Sequence, residues 1–370
     1  MTQNAYLSAN SYFGLALEAN LAAGVTTPTR GITTTGGAGN YAPLYIPVTT
    51  PQITPMQTFL RDEAFRGSPA MVYDQVQSVR HDEYDAKFYL YADTFPQLLT
   101  SVLGGNDIVT GAGPYSHKIG LYNDSTSGSQ PLSYTIVDFD GANYFYMTGA
   151  QADNLAMTFG AEAAADATIK FFANPYVSTT STSSLPSVFQ SSFNYLEETG
   201  EQLIPAWDTT ITINGTTYNY IASGELKIER KTQSIFTMGG QGPYTNFAGP
   251  VEVTGKFTAV ISSNADTFST PSAYSSGTIT SSAFALNRSP EPVVITLTNP
   301  NTNHSISFQT SSAQFHDVKR TRGKEYTEVE VAFTANANTA DVPSGTGYLG
   351  YSPIVTTTVN SISTAYQTGY

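Results

Sequence analysis

One stretch of this chain is written twice. Pro131 opens Pro-Leu-Ser-Tyr-Thr-Ile-Val and Phe172 later opens Phe-Ala-Asn; Pro292 opens Pro-Val-Val-Ile-Thr-Leu-Thr and Phe333 opens Phe-Thr-Ala-Asn. Both pairs stand 161 residues apart (131 to 292, 172 to 333). A second echo lies upstream, Ala86-Lys87-Phe88 with Ala92-Asp93-Thr94-Phe95 against Gly255-Lys256-Phe257 with Ala265-Asp266-Thr267-Phe268. Its internal spacing differs, so one copy carries an insertion. A duplicated unit restricts the chain to folds that build one element order twice, and 370 residues let each copy bury a core of its own. Rings and arrays need such repeated surfaces more than they need chemistry.

Both copies read as antiparallel β-structure. β-branched and aromatic residues alternate with period two over residues 133–139, 144–148, 209–213, 225–231, 251–260, 293–298 and 328–333. Asn214-Gly215 and Asp140-Gly141 sit between such runs and predict tight hairpins with positive φ. Helix is expected over residues 95–103, after Thr94 as N-cap and before Gly104-Gly105, and over residues 12–23. Each copy's Asp-Thr-Phe is expected to start one helix. Residues 177–187 are too rich in Ser and Thr for a core strand and mark a boundary. The expected organisation is a first β domain at 1–177, a linker at 178–187, a second β domain at 188–340 and a C-terminal arm at 341–370. Residues 348–370 have no counterpart in the first half and read either as an arm reaching a neighbour or as a frayed tail.

Charged residues make up 12% of the chain, about half the usual share, which leaves much uncharged surface for partners to cover. The formal net charge of −13 argues against gripping a nucleic-acid backbone, which needs a basic face. With no cysteine there are no disulfides or thiolate metal sites. The opening residues carry no basic segment followed by an apolar one, and no apolar run approaches membrane-spanning length, so neither a signal peptide nor a membrane span is expected.

Catalytic equipment is not evident. His81, His117, His304 and His316 never fall in a metal-ligand spacing, and no nucleophile elbow, Walker loop or dinucleotide fingerprint is present. His81-Asp82-Glu83-Tyr84-Asp85 clusters acids with a base, but neighbours on a strand face opposite ways and do not converge on one atom. The run Asp138 to Asn143 faintly resembles part of a calcium loop without its closing glutamate and fits a hairpin tip better. No metal, cofactor or enzymatic activity is expected. Lys319, Arg320, Arg322 and Lys324 form the densest basic run, read as a solvated turn or as an inter-subunit patch meeting an acidic neighbour.

Several stretches, in order and spacing, resemble the major tail tube proteins of long-tailed bacteriophages. These are Gly14-Leu-Ala-Leu-Glu18 with Gly24 and Pro28, Tyr45-Ile-Pro47-Val48, Lys87-Phe-Tyr-Leu leading to Phe95-Pro-Gln-Leu-Leu, Pro114-Tyr-Ser116-His117-Lys-Ile119, and Pro131-Leu-Ser-Tyr-Thr-Ile. Ser116 stands where that family commonly has Thr. The resemblance implies a mainly β fold of two tandem tail-tube-like β-sandwich domains. Each would carry a short flanking helix and a long hairpin that joins its neighbours' hairpins in a ring-spanning β-barrel, a closure that removes exposed strand edges.

Two hairpins fit that role. Residues 53–66 with 70–91 would turn at Gly67-Ser-Pro, and residues 224–238 with 251–260 would turn through 239–249. The second alternates Glu225, Lys227, Glu229 and Lys231 on one face with Leu226, Ile228 and Arg230 on the other. Two tube units per chain imply a trimeric, pseudo-hexameric ring, and one unit per chain implies a hexamer; rings would stack into a tube in the virion tail, assembled in the host cytoplasm. The tube would enclose a tape-measure protein, meet tail-end proteins and pass genome DNA without binding it. The acids Glu63, Asp74, Asp82, Glu225 and Glu229 are expected to include residues facing the lumen, where like charge repels phosphate. The competing reading is a carbohydrate-binding or adhesin-like β-sandwich, which would need an aromatic platform or a calcium site; the single Trp207 lies just before the Asn214-Gly215 hairpin with no partner pattern.

Overall fold

The computed structural model describes residues 11–18, 44–64, 66–67, 69–104, 107–123, 130–186, 189–190, 202–260, 273–275, 278–280, 289–323, 326–345, 348–363 and 365–366. Among the described residues, eighteen strands join one hydrogen-bonded network, and every paired strand in it runs antiparallel to its neighbour.

The duplication reappears as strand order. In the first set, neighbours run Tyr12–Leu17, Tyr134–Phe139, Tyr144–Gly160, Asp166–Ala173, Asp74–Tyr89, Gln52–Asp62. In the second they run Thr209–Ile213, Glu291–Thr298, Ser305–Arg322, Thr327–Ala335, Glu252–Val260, Ile221–Glu229. The long strands begin at Tyr144 and Ser305, and the strands returning from them at Asp166 and Thr327, again 161 residues apart. Burial corrects the echo by one position. Phe171 and Ala173 point into the core as Phe333 and Ala335 do, whereas Phe172 faces the other way. Hydrogen bonding agrees: Asn174 N–H donates to Thr148 O at 2.9 Å, and Asn336 N–H, 162 residues on, donates to Ser312 O at 2.8 Å.

Each long strand changes partners along its length. The start of Tyr144–Gly160 pairs with Tyr134–Phe139 and Val177–Thr179, and the part beyond Gln151 pairs with Asp166–Ala173. A bulge between Ala152 and Asn154 turns the strand, and Ser305–Arg322 has one between His316 and Lys319. Tyr84, Phe88, Leu155 and Phe171 of the first set and Phe257, Phe315, Val331 and Phe333 of the second belong to one contiguous buried cluster. Glu18 pins the first sheet, its buried carboxylate accepting from Thr135 Oγ1 at 2.8 Å, Ser133 Oγ at 2.5 Å and Gly149 N–H at 2.6 Å.

The helix Phe95–Leu103 forms where expected, with all nine residues buried. Gly104, at φ 75°, ends it and donates to Thr100 O at 2.8 Å, while Thr94 makes no side-chain cap bond. The other expected helix does not form over residues 12–17, which are a buried strand, because Phe13, Gly14 and Leu15 pair with both Leu44–Ile46 and Tyr134–Phe139. The second Asp-Thr-Phe, at residues 266–268, lies outside the described residues. Asn214 (φ 49°) and Gly215 (φ 75°) make the expected two-residue turn. Residues 140–143 instead form a four-residue loop in which Asp140 Oδ1 accepts from Ala142 and Asn143 N–H at 2.8 and 2.7 Å, so that carboxylate serves the backbone.

The polar boundary stretch begins as the edge strand Val177–Thr179. Near the C-terminus, Val355–Asn360 pairs within its own chain, lying between Ser305–Arg322 and Tyr115–Gly120 and so joining a strand that follows the first set's helix to the second set. Among the described residues no barrel closes; the strand order ends instead in two unlike edges.

Candidate functional site

The two sets meet through hydrogen-bonded strands. Ile221–Glu229 pairs with Tyr144–Gly160, placing Ser223 opposite Gly160, Lys227 opposite Ala156 and Glu229 opposite Asn154. Arg230 N–H adds a bond to Asp153 O at 2.6 Å. Gly224 is required here, since a Cβ would stand 2.3 Å from the Phe159 ring that crosses it. The result is an eight-strand run: Gln52–Asp62, Asp74–Tyr89, Asp166–Ala173, Tyr144–Gly160, Ile221–Glu229, Glu252–Val260, Thr327–Ala335, Ser305–Arg322. Its second four strands repeat the order of its first four.

Alternation gives the run one apolar and one polar face, because residues opposite each other share a side. Tyr84, Phe171, Met157, Leu226, Gly255 and Phe333 face the core. The polar face carries Glu83, Asp85, Asp166, Glu225, Glu229, Glu252, Glu328 and Glu330 against Lys87, Lys170, Lys227, Lys256 and Lys319. Four lysines are already spoken for: Lys87 with Asp166 and Lys170 with Glu83 at 2.8 Å, Lys227 with Glu229 at 3.0 Å and Lys256 with Glu330 at 2.9 Å. Glu252 pairs with Lys231 at 2.7 Å. Asp85, Glu225 and Glu328 are in no ion pair among the described residues. Burial raises Asp85 above the ordinary carboxylate value, and burial holds His81 below its ordinary value against the pull of Glu83 and Asp82, so His81 adds no positive charge at neutral pH. The face is therefore polar, wet and acidic on balance.

Of the acids expected on such a face, Glu225 and Glu229 lie on it. Glu63 lies past the strand end and Asp74 stands opposite Asp62 at the far end of the hairpin, both exposed. Asp82 is buried on the core side of its strand, where Arg80 Nη2 and Tyr176 N–H each donate to it at 2.8 Å. Sequence reasoning passed over Glu83, Asp85, Glu328 and Glu330, although the alternation over residues 328–333 already separated Glu328 and Glu330 from Val329 and Val331. In the basic run, Lys319 is opposite Glu330 and Thr321 opposite Glu328, Arg320 and Arg322 take the alternate positions, and Lys324 lies outside the described residues.

Both ends of the run are strand edges. Among the described residues, Gln52–Asp62 has one strand neighbour, Asp74–Tyr89, and residues 319–322 have one, Thr327–Ala335. The first hairpin also projects an apolar tip, with Leu60 64% and Met71 76% exposed beside Phe59 and Val76. The second hairpin's tip folds back on the first set: Arg80 N–H donates to Gln241 O and Asn246 Nδ2 to Gly149 O, both at 2.8 Å.

The phage tail tube protein family matches this chain over residues 8–344, nearly its whole length. The chain belongs to that family. As a tail tube protein it is a structural component of the virion tail, in a family that builds a tube by self-assembly. No curated protein matches it. Among the described residues of this tail tube chain, no group of three or more His, Asp or Glu could hold a metal ion, and no helix is long and apolar enough to cross a membrane.

Proposed function

We propose that this chain is the ring subunit of a tail tube whose polar sheet face lines the channel. The observation that carries the reading is the internal joint of Ile221–Glu229 on Tyr144–Gly160. It joins two like four-strand groups head to tail, which leaves the chain with one edge of each kind. Unlike edges make heterologous contacts, and heterologous contacts either close into a ring or grow without limit.

Three chains close the ring in this account, each supplying two tube units from residues 1–177 and 188–340. Eight strands per chain give twenty-four in the barrel. At about 4.8 Å per strand the circumference is about 115 Å and the backbone diameter about 37 Å before strand tilt widens it. Barrels of 16–18 strands already hold an aqueous channel, so twenty-four leave a wider bore, while six chains would double it. Rings stack into the tube, which encloses a tape-measure protein during assembly, contacts tail-end proteins and later conducts genome DNA. Glu225, Glu229, Glu83, Asp85 and Glu328 face the lumen, and the pairing of lysines with acids leaves phosphates little to adhere to.

Light scattering after size-exclusion chromatography, with negative-stain microscopy at rising concentration, tests this. Rings or tubes with masses in steps of three chains are expected; a species that stays monomeric throughout contradicts the proposal.

A further inference from the structure

We infer the strand register of the contact between copies: Thr54 of one chain lies opposite Lys319 of the next, and Gln52 opposite Thr321. The inference rests on the ring reading and adds what that reading leaves open, namely which residues meet.

The internal joint is the template. Ala156 is opposite Thr168, which matches Glu330 at the offset of 162 set by Phe171 and Phe333, and Glu330 is opposite Lys319. Lys319 therefore occupies the place of Ala156. Lys227 is opposite Thr254 and Thr254 opposite Thr334; Thr334 matches Phe172, which is opposite Glu83, which is opposite Thr54. Thr54 therefore occupies the place of Lys227. Lys227 and Ala156 are opposite each other inside the chain, so Thr54 and Lys319 are opposite each other between chains. By the same steps Glu225 maps to Gln52 and Thr158 to Thr321.

Backbone direction supports the assignment. Arg230 N–H points into the internal joint and Arg80 N–H points away from Gln52–Asp62. Peptide groups alternate along a strand, so those of Thr54 point inward and those of Ile53 and Pro55 outward. Pro55 thus places its missing N–H at the outer edge without breaking its own ladder, and the contact between copies forgoes the one donor that its counterpart Ile228 turns toward the internal joint. Lys319 would arrive on the polar face beside Thr54, one strand from Glu83 and close to Asp85, giving the contact complementary charge.

With backbone groups turned away, Thr54 and Lys319 form the non-hydrogen-bonded kind of pair, whose Cα atoms stand about 4.5 Å apart, within disulfide range. The chain has no cysteine of its own, so an engineered pair is unambiguous. The experiment oxidises assembled Thr54→Cys/Lys319→Cys protein, with Thr54→Cys/Thr321→Cys as a pair two residues out of register, and reads non-reducing gels beside micrographs of the same samples. In-register cysteines should yield a covalent ladder ending at the ring, at least ten-fold more than the offset pair. Rings in which the offset pair links as well, or neither links, overturn the register and leave the ring reading standing. Absence of both rings and cross-links overturns both.

Discussion

Arg230 Nη2 donates to the carbonyl of Leu103 at 3.1 Å, and its Nε donates to that of Val102. A side chain of the second strand set thereby caps the C-terminus of the helix Phe95–Leu103 in the first. Arg230 is 2% exposed and burial lowers its pKa to about 10, so it stays charged at neutral pH against the helix dipole. Arg230→Leu, which strips the Val102 carbonyl of its guanidinium donor and leaves Leu103 O only the bond from Tyr122 N–H at 2.9 Å, should cost about 2 kcal/mol in urea unfolding. Arg230→Lys should recover part of that, and a loss below about 0.5 kcal/mol in either would remove the cap from the account.

Asp138 predicts an acid-side effect. Burial raises its carboxyl to about 6, opposed by the Tyr84 hydroxyl, which donates to it at 3.4 Å, and reinforced by Asp140. The folded chain then holds a proton that the unfolded chain releases near pH 4, so stability falls as pH rises from about 4 to about 6. Asp138→Asn should leave stability at pH 4 nearly unchanged and raise it by about 2 kcal/mol at pH 7.5, flattening that part of the pH profile.

His117 predicts the opposite flank. Its Nδ1 stands 2.5 Å from Asp107 Oδ2 and its Nε2 2.8 Å from Ile362 O, an arrangement that satisfies both nitrogens as donors. Burial pulls its pKa down, but Asp107 and the Ile362 carbonyl more than offset it and the net shift is upward. That stabilisation is complete below the ordinary histidine value and is lost as pH rises through the folded one. His117→Ala should cost about 3 kcal/mol at pH 6 by leaving Asp107 buried without its cation, and less at pH 9. Hydrogen exchange over residues 355–362 should report loosening of that segment first.

The projecting hairpin tip separates assembly from folding. Leu60→Asp with Met71→Asp changes two largely exposed side chains, so monomer stability should move by no more than about 0.5 kcal/mol. Assembly should fail, because the second tip's cover of Arg80 and Gly149 implies that the first tip covers a neighbour. Normal rings from this double variant would show that the tip lies outside every contact.

Periodicity made much of this legible. The runs at residues 144–148 and 293–298 announced strands, and the echo announced that the strand order would recur. The echo misplaced its own register by one because Phe171 and Phe172 are both aromatic, and the sequence does not say which faces inward; a bulge beside each returning strand settles that. Residues 12–17 misled for a different reason: Tyr12, Phe13, Leu15 and Leu17 suit a helix locally, but two flanking strands claim their backbone. Asp82 was expected in the lumen as one acid among several, yet its odd-numbered neighbours Glu83 and Asp85 take the polar face and Asp82 takes Arg80. The internal joint was invisible, since nothing in Gly224 or Phe159 alone declares that they lie opposite each other.

Electron cryomicroscopy of the assembled ring or tube decides how many chains close it and which sheet face lines the channel. Threefold symmetry, a barrel of twenty-four strands, the acidic sheet face inward, and the Ile221–Glu229 to Tyr144–Gly160 joint alternating with its counterpart between chains are expected. Sixfold symmetry, or a ring with Glu225 and Glu229 on its outer surface, would contradict it.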